Sequence, residues 1–351
     1  MTQHPKPKSE YSKLAFGKEF TDHWLHVNWK KSEGWGHLQI SPYKKLELEP
    51  SALCFHYALE CFEGLKAYKD AKGRIRLFRP EENMKRMNSS ANRLCMPTFP
   101  ERAFLEGIKT LLKTDEDWIP TQRGYSLYLR PTMIATDPVL GVHAPAEVLL
   151  FVIASPVGPY YPTGFKPVAL YASTKEVRAW PGGTGCYKVG GNYAPGIAPA
   201  LEASQKGYQQ VLWLHENKIT EVGTMNLFGF WKNEKGEKEL ITAPLDGQIL
   251  PGVTRKSILE LARQWGEFKV SEADWNMEQL VRALNEGRVI EMFGAGTAAV
   301  VSPVYKIFYE GKDYAVPCKN NEAGDLTRRF MDTILGIQYG EIPSDWSVLV
   351  D

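Results

Sequence analysis

Cysteine is scarce in this chain and poorly placed for its structural uses. Cys54, Cys61, Cys95, Cys186 and Cys318 form an odd set with no CxxC pair, which argues against a disulfide framework and against a thiolate zinc site. Reduced thiols in a cytoplasmic protein are the expectation. The seven histidines form no HExxH or comparable pairing, so a metal hydrolase is a poor fit and no metal is expected. An excess of charge of one sign is also lacking. The 42 basic and 41 acidic residues leave a formal charge of +1 with no long run of either, which points away from nucleic acid and from a membrane surface. No stretch approaches a membrane-spanning run, and the start, MTQHPKPKSEYSK, has no apolar leader segment. A strand followed by GxGxxG and a GxxxxGK[ST] loop are both missing, which removes the usual nucleotide cradles. Neither an internal repeat nor a low-complexity segment is present.

What the chain does have is an ordinary globular composition, 43% hydrophobic and 24% charged. Its 351 residues exceed the size at which one hydrophobic core stops growing. The fold class predicted is α/β (α+β) in two domains: a smaller one over 1–160, a linker over 161–168 in the Pro-, Gly- and Tyr-rich run PYYPTGFKP, and a larger one over 169–351. In the first domain, two strand-like pieces flank the Asp70–Gly73 turn, a hairpin signal. Pro80 then opens a helix with Glu81 and Glu82 in its first turn and Met84, Met87, Ala91 and Leu94 at helical spacing. A second helix is predicted over Pro100–Lys113, followed by the strands YSLYLRPTMIAT and EVLLFVIASPVG. The second domain reads as a strand at Val168–Ala172, a helix near Ala198–Lys206, a hairpin VLWLH/KITEVG, and helices from about Val253, over Met277–Asn285 and over Asp325–Ile337. GAGTAA, after the strand RVIEMF, reads as a turn.

The stretch AWPGGTGCYKVGGNYAPGIAPAL, 179–201, is nearly neutral and carries one charged side chain, Lys188. Glycines at 182, 183, 185, 190 and 191 let the backbone approach a partner closely. A lysine in such surroundings is poorly solvated, so its neutral, nucleophilic form becomes accessible. Glu221 is the only charge between Lys218 and Lys232, and a carboxylate beside an apolar strand must be paired or protonated; a half-exposed hairpin residue is the plainer reading. Leu250–Thr254 leads into an amphipathic helix, where free backbone N–H groups make an anion cup, and GAGTAA could form a second. Arg86 by itself reads as a solvated charge. A desolvated lysine, an isolated glutamate and two anion-binding turns are the parts that pyridoxal phosphate requires: an amine for its aldehyde, a carboxylate for its ring nitrogen and donors for its phosphate.

The ordered set GGTGCYKVGGNYAP, ITEVGTMNLF, LPGVTRKSILELA, FGAGTAA, ECFEGLKAY and RLFRPEENMKRM resembles the branched-chain amino acid aminotransferases, fold-type IV pyridoxal-phosphate enzymes. The resemblance extends from about Phe16 to the last helix. It implies that Lys188 carries the Schiff base with pyridoxal 5′-phosphate, that Tyr193 hydrogen-bonds the phenolic oxygen and that Glu221 pairs with the ring nitrogen. Arg86, Val253, Thr254 and Thr297 would hold the phosphate, and Thr297 with Ala298 the substrate α-carboxylate. Phe16, Tyr57, Phe62, Tyr128, Tyr160 and Thr224 match pocket-lining positions. Arg130, with the Tyr57 hydroxyl, would receive the distal carboxylate of glutamate. The loop of Val142 matches one that reaches a neighbouring subunit, so a homodimer or larger homo-oligomer is implied. Small amino acids and 2-oxo acids are the implied partners. Mammalian members carry a CxxC pair after the GTA turn, whereas this chain has Ala299 and Ser302. A D-amino acid aminotransferase, an aminodeoxychorismate lyase or a non-catalytic relative could share the same cofactor machinery.

Overall fold

The computed structural model describes residue 2 and residues 5–158, 166–318 and 322–350. Its contacts divide the chain into two units. One comprises Met1–Tyr160, Tyr187–Gly191 and Leu335–Asp351, and the other Tyr161–Cys186 and Asn192–Ile334.

The first unit is built on strands β1 (His23–Lys30), β2 (Gly34–Trp35), β3 (Gln39–Pro42), β4 (Glu60–Phe62), β5 (Leu65–Lys69), β6 (Ile75–Phe78), β7 (Ser126–Ala135), β8 (Glu147–Val157) and the last strand of the chain, β18 (Ser347–Leu349). Nine strands pair in the order β18-β6-β5-β7-β8-β1-β2, with β3 on β1 and β4 on β7, and every pairing is antiparallel. The helices are α1 (Leu53–Tyr57), α2 (Pro80–Arg93) and α3 (Glu101–Thr114). Pro80 stands in the first turn of α2, where its missing N–H costs nothing, and Glu81 and Glu82 face the positive end of the helix dipole. Met84, Met87 and Ala91 are fully buried, as their spacing predicts, and each methionine so buried contributes about 1.5–3 kcal/mol; Leu94 is only partly covered. The predicted α3 start is displaced by one residue, because Pro100 serves as the cap.

One core holds Leu65, Ala67, Leu127, Leu129, Leu150 and Val152 of the sheet together with Met84, Met87, Ile108 and Leu112 of the helices. Successive strand residues point to opposite faces. With Cys61, Leu65, Leu127 and Leu129 turned into this core, Glu60, Phe62, Lys66, Tyr128 and Arg130 share the other face of the sheet. That alternation sets the walls of the site described below.

The second unit contains β9 (Val168–Ser173), β10 (Gln210–His215), β11 (Lys218–Val222), β12 (Met225–Lys232), β13 (Lys238–Thr242), β14 (Lys269–Glu272), β15 (Val289–Gly296), β16 (Val300–Tyr309) and β17 (Lys312–Ala315). Their order is β11-β10-β9-β16-β15-β12-β13-β14, with β17 on β16. Because β11 also pairs β12, six strands close into a ring and have no free edge there. The β10/β11 hairpin turns at Glu216 and Asn217, whose φ values of 48° and 63° give the twist that a two-residue hairpin requires. Helices α4 (Ile197–Gln205), α5 (Val253–Trp265) and α6 (Met277–Asn285) lie within this unit, and α7 (Asp325–Gln338) begins in it.

Three sequence expectations change. GAGTAA is not a turn throughout: β15 continues to Gly296, which pairs with Val300, and only Thr297–Ala299 turn. The glycines admit a close neighbour instead, since a Cβ on Gly294 would stand 3.0 Å from Met225 Cε and one on Gly296 3.2 Å from Met225 Cγ. Lys188 falls by sequence in the second domain, yet its segment packs with the first unit, where the Phe62 N–H donates to Lys188 O and Val189 bridges Cys61. Strand β18, which pairs β6, lies where the sequence shows no strand signal. The expected linker lies largely at 159–165, outside the described residues, and Tyr160 with it.

Candidate active site

Glu63 follows β4 and is entirely buried. Its Oε1 accepts from Arg86 Nε at 2.6 Å, and its Oε2 accepts from Arg86 Nη2 at 2.9 Å and from Asn83 Nδ2 at 2.8 Å. Arg86 and Asn83 stand three residues apart on α2, so both reach the same carboxylate. This fork geometry is what allows a carboxylate and a guanidinium to be buried together. Burial alone would raise the Glu63 carboxyl, but the Arg86 charge and hydrogen bonds, with the Lys188 charge and Asn83, outweigh it and hold the carboxyl below the usual range.

Lys188 is fixed through its backbone. Its N–H donates to Ser90 Oγ at 2.8 Å, from the same helix face as Arg86, and its carbonyl accepts the Phe62 N–H at 3.0 Å. The Nζ lies 4.8 Å from the centre of the Phe62 ring. Burial draws its pKa down to about 8, with the Arg86 and Arg130 charges acting in the same sense and the Glu63 and Tyr128 groups opposing. At neutral pH a usable fraction of the amine is therefore unprotonated. Lys66, on the face shared with Tyr128 and Arg130, is also drawn down to about 8 by burial.

The wall before this amine is aromatic. Phe16 meets Tyr128 edge-on at 4.8 Å, and the Arg130 guanidinium lies 4.6 Å from the Phe62 ring centre and 5.3 Å from that of Tyr128. Arg130 Nη2 donates to Tyr128 Oη at 3.1 Å, while its Nε is buried without a hydrogen-bond partner. Gly64 is required opposite, since a Cβ there would collide with Tyr128 Oη. Tyr57 stands apart from this group: its hydroxyl accepts the Gly141 N–H at 3.1 Å, on the loop carrying Val142, whose exposure is 82%. The hydroxyl bonded to Arg130 is that of Tyr128.

In the second unit Glu221 is buried on β11 and is paired, as a buried carboxylate must be. Oε1 accepts from Asn226 Nδ2 at 3.0 Å and from the Leu250 N–H at 2.9 Å, and Oε2 faces Arg178 Nε at 2.9 Å. Asn226 also explains Gly252, the cap of α5, because a Cβ at 252 would collide with Asn226 Oδ1. Val253 and Thr254 occupy the first turn of α5, buried, with no acidic side chain there to oppose an anion. Thr297 and Ala298 form the turn before Val300, whose φ of 61° is a strained value for a β-branched residue. Thr224 is exposed beside the Gly223 turn, and half-buried Tyr193 caps the short turn Ala194–Gly196. Ahead of the lysine, Thr184 Oγ1 donates to Asn192 Oδ1 at 2.6 Å, and Asn192 Nδ2 donates to Thr184 O at 2.7 Å.

The first unit brings together Phe16, Phe62, Arg86, Tyr128, Arg130 and Lys188. The second unit gathers Glu221 with the α5 cap. Glu63, Asn83, Ser90, Arg178 and Asn226 escape the sequence reading. Arg178 stands just before the neutral stretch, and Glu63 is visible only as an acidic letter in ECFEG.

The amino-transferase class IV family matches residues 60–307 of the chain. A branched-chain-amino-acid aminotransferase of Dictyostelium discoideum is 59% identical over 345 residues, covering 98% of this chain and 91% of the relative. The cytosolic branched-chain-amino-acid aminotransferase of Mus musculus is 51% identical over 346 residues, 98% of this chain and 89% of its own. Among solved structures, the Escherichia coli branched-chain amino acid aminotransferase is 25% identical, with a TM-score of 0.71 over 93% of this chain and 99% of its own. A T.th. branched-chain amino acid aminotransferase, complexed with N-(5′-phosphopyridoxyl)-L-glutamate, is 27% identical and superposes with a TM-score of 0.72 over 93% and 98%.

Proposed function

The chain belongs to the class IV amino-transferases, and from that premise we propose that it is a branched-chain amino acid aminotransferase of fold type IV, which passes the amino group of L-leucine, L-isoleucine or L-valine reversibly to 2-oxoglutarate. The observation that carries this reading is the half-buried Lys188 amine on the Phe62 ring, drawn down to about 8 by desolvation and by the charge of the buried Arg86 guanidinium. A near-neutral amine suits an aldehyde, and a buried arginine suits a phosphate, so these residues fit pyridoxal 5′-phosphate. That cofactor supplies an aldehyde for condensation with an amine and an electron-accepting ring for the pair left when Cα loses a proton.

The protein supplies the rest. Lys188 Nζ would take the proton from the substrate Cα and hold it for return, a task suited to a base titrating near the working pH. Glu221, steadied by Arg178, Asn226 and the Leu250 N–H, would hold the proton on the ring nitrogen. Arg86 and the N–H groups of Val253, Thr254 and Thr297 would hold the phosphate, and Tyr193 the phenolic oxygen. Thr297 and Ala298 would bind the α-carboxylate. Phe16, Tyr57, Phe62, Tyr128 and Thr224 would line the side-chain pocket, with Arg130 for a distal carboxylate. Tyr160 is assigned to the same pocket. The exposed loop of Val139, Leu140 and Val142 supports a homodimer to which this loop contributes. Among the described residues no helix is long and apolar enough to cross a membrane. A cytoplasmic location is part of this proposal.

The test is an assay of purified protein with leucine, isoleucine and valine against D-alanine, each with 2-oxoglutarate. Turnover of the three branched L-amino acids is expected, and turnover of D-alanine alone would overturn the reading. Light scattering tests the dimer, and cell fractionation the location.

A further inference from the structure

Phe16 lies on no helix or strand, unlike Phe62 on β4 and Tyr128 on β7. No side chain from 5 to 20 is buried, so apolar burial does not hold this stretch, and a segment of that kind ordinarily frays. The edge contact of Phe16 with Tyr128 is worth too little to order so long a stretch by itself.

Polar contacts do the fixing. The Lys6 N–H donates to Asp22 Oδ1 at 2.9 Å, and the Lys6 ammonium donates to the carbonyls of Thr21 at 2.8 Å and Phe20 at 3.3 Å. Residues 6–22 therefore form a surface loop whose ends meet just before β1. Its base is anchored in the first unit: Asp22 Oδ2 accepts from Trp118 Nε1 at 3.0 Å, and both residues are buried. Lys6 Nζ also stands 4.3 Å from the centre of the Tyr43 ring, on which Phe20 stacks. Midway along, Tyr11 stacks on Tyr125 at 5.2 Å, its hydroxyl accepts the Thr121 N–H at 3.1 Å, and the Ser9 N–H donates across the loop to Glu19 Oε1 at 3.1 Å. Phe16 falls at the tip, in the turn closed by the Lys18 N–H on Ala15 O, where Gly17 takes a φ of 68°.

A wall already in place costs nothing to order when a substrate arrives, whereas a straying one must be ordered by the substrate. Phe16 packs on Tyr128, whose hydroxyl carries Arg130, so it belongs to the part of the pocket that meets the far atoms of a side chain. We propose that Lys6 is a positioning residue for substrate selection: by closing the 6–22 loop on Asp22 it holds Phe16 against Tyr128 and favours substrates whose side chains reach that wall. The inference rests on the assignment of Phe16 and Arg130 to the side-chain pocket.

The experiment uses the holoenzyme and compares kcat/KM for leucine with that for L-2-aminobutyrate, each with 2-oxoglutarate. Lys6→Met, which keeps the apolar stem and removes the ammonium, is expected to lower the ratio of leucine to 2-aminobutyrate by about three- to tenfold, through KM more than kcat. Lys6→Arg, which can still donate to the two carbonyls, should keep most of the ratio. In a Phe16→Ala background the same Lys6→Met change should lower it no further, since the residue it positions is gone. Equal losses for both substrates in folded Lys6→Met protein would reduce the lysine to a structural part and overturn the proposal, as would additive losses in the double variant. Hydrogen exchange on the unmodified holoenzyme needs no variant: the amides of Lys6, Leu14 and Lys18 are expected to be protected, and exchange at the rate of an unstructured peptide overturns the proposal by itself. If leucine reacts while any of these outcomes goes against the proposal, only this inference falls. If leucine does not react at all, the functional reading fails and takes the inference with it.

Discussion

Glu63 and Arg86 meet edge to edge, Nε to Oε1 at 2.6 Å and Nη2 to Oε2 at 2.9 Å, with both groups out of solvent. Removing one partner leaves the other as a buried charge. Glu63→Ala is expected to cost about 3–5 kcal/mol in urea unfolding, whereas Glu63→Leu combined with Arg86→Met should recover most of that loss. A loss under about 1 kcal/mol in the single variant would show that the pair is more solvated than its geometry implies.

Lys188→Ala is expected to lower turnover by at least about 10²–10⁴-fold and to leave no cofactor that borohydride can fix to the chain. Normal transamination by this variant would remove the lysine from the chemistry.

Glu221→Gln keeps an acceptor for Asn226 and the Leu250 N–H but discards the charge facing Arg178. Single-turnover rates of Cα proton transfer are expected to fall on the order of 10²-fold, with KM for leucine changed far less. Equal proton-transfer rates in the two proteins would refute the role given to Glu221.

Lys188 titrates near 8 in the folded chain against 10.5 for an ordinary lysine. Between those values the unfolded chain binds more protons, so stability rises with pH across that window. The burial cost is fully present below pH 8 and is relieved as pH approaches 10.5, about 3 kcal/mol in all. In cofactor-free protein, Lys188→Met should therefore be the more stable at pH 7, with its advantage shrinking toward pH 10. Lys66 keeps a slope of the same sign in both proteins. Parallel urea curves at pH 7 and pH 10 would contradict the burial of the amine.

The features legible in the sequence are those written in short-range pattern. Pro80 with its acidic first turn, the Asp70–Gly73 hairpin and the neutral glycine stretch around Lys188 each depend on neighbours in the chain, and the structure has them where the spacing says. What is not legible depends on distant partners. Nothing near Glu221 announces Arg178, 43 residues earlier, and nothing near Glu63 announces that Arg86 will turn inward instead of toward water. GAGTAA misleads for a related reason: glycine marks close approach as readily as a turn, and here the approaching group is Met225, on a different strand. The bond between Tyr128 and Arg130 is equally hidden: strand alternation puts the two side chains on one face, whereas Tyr57 stands at the end of a short helix.

The anchoring of Lys188 bears on how this protein can be divided. Residues 187–191 are encoded between two segments of the second unit, yet their hydrogen bonds go to Phe62 and Ser90 in the first. A fragment cut at the apparent boundary near 160 would carry the reactive amine away from the hydroxyl and amide that aim it. Split-protein complementation, domain exchange with a relative, or a fusion that excises the second half should therefore return folded but chemically silent pieces until both parts of the chain are present.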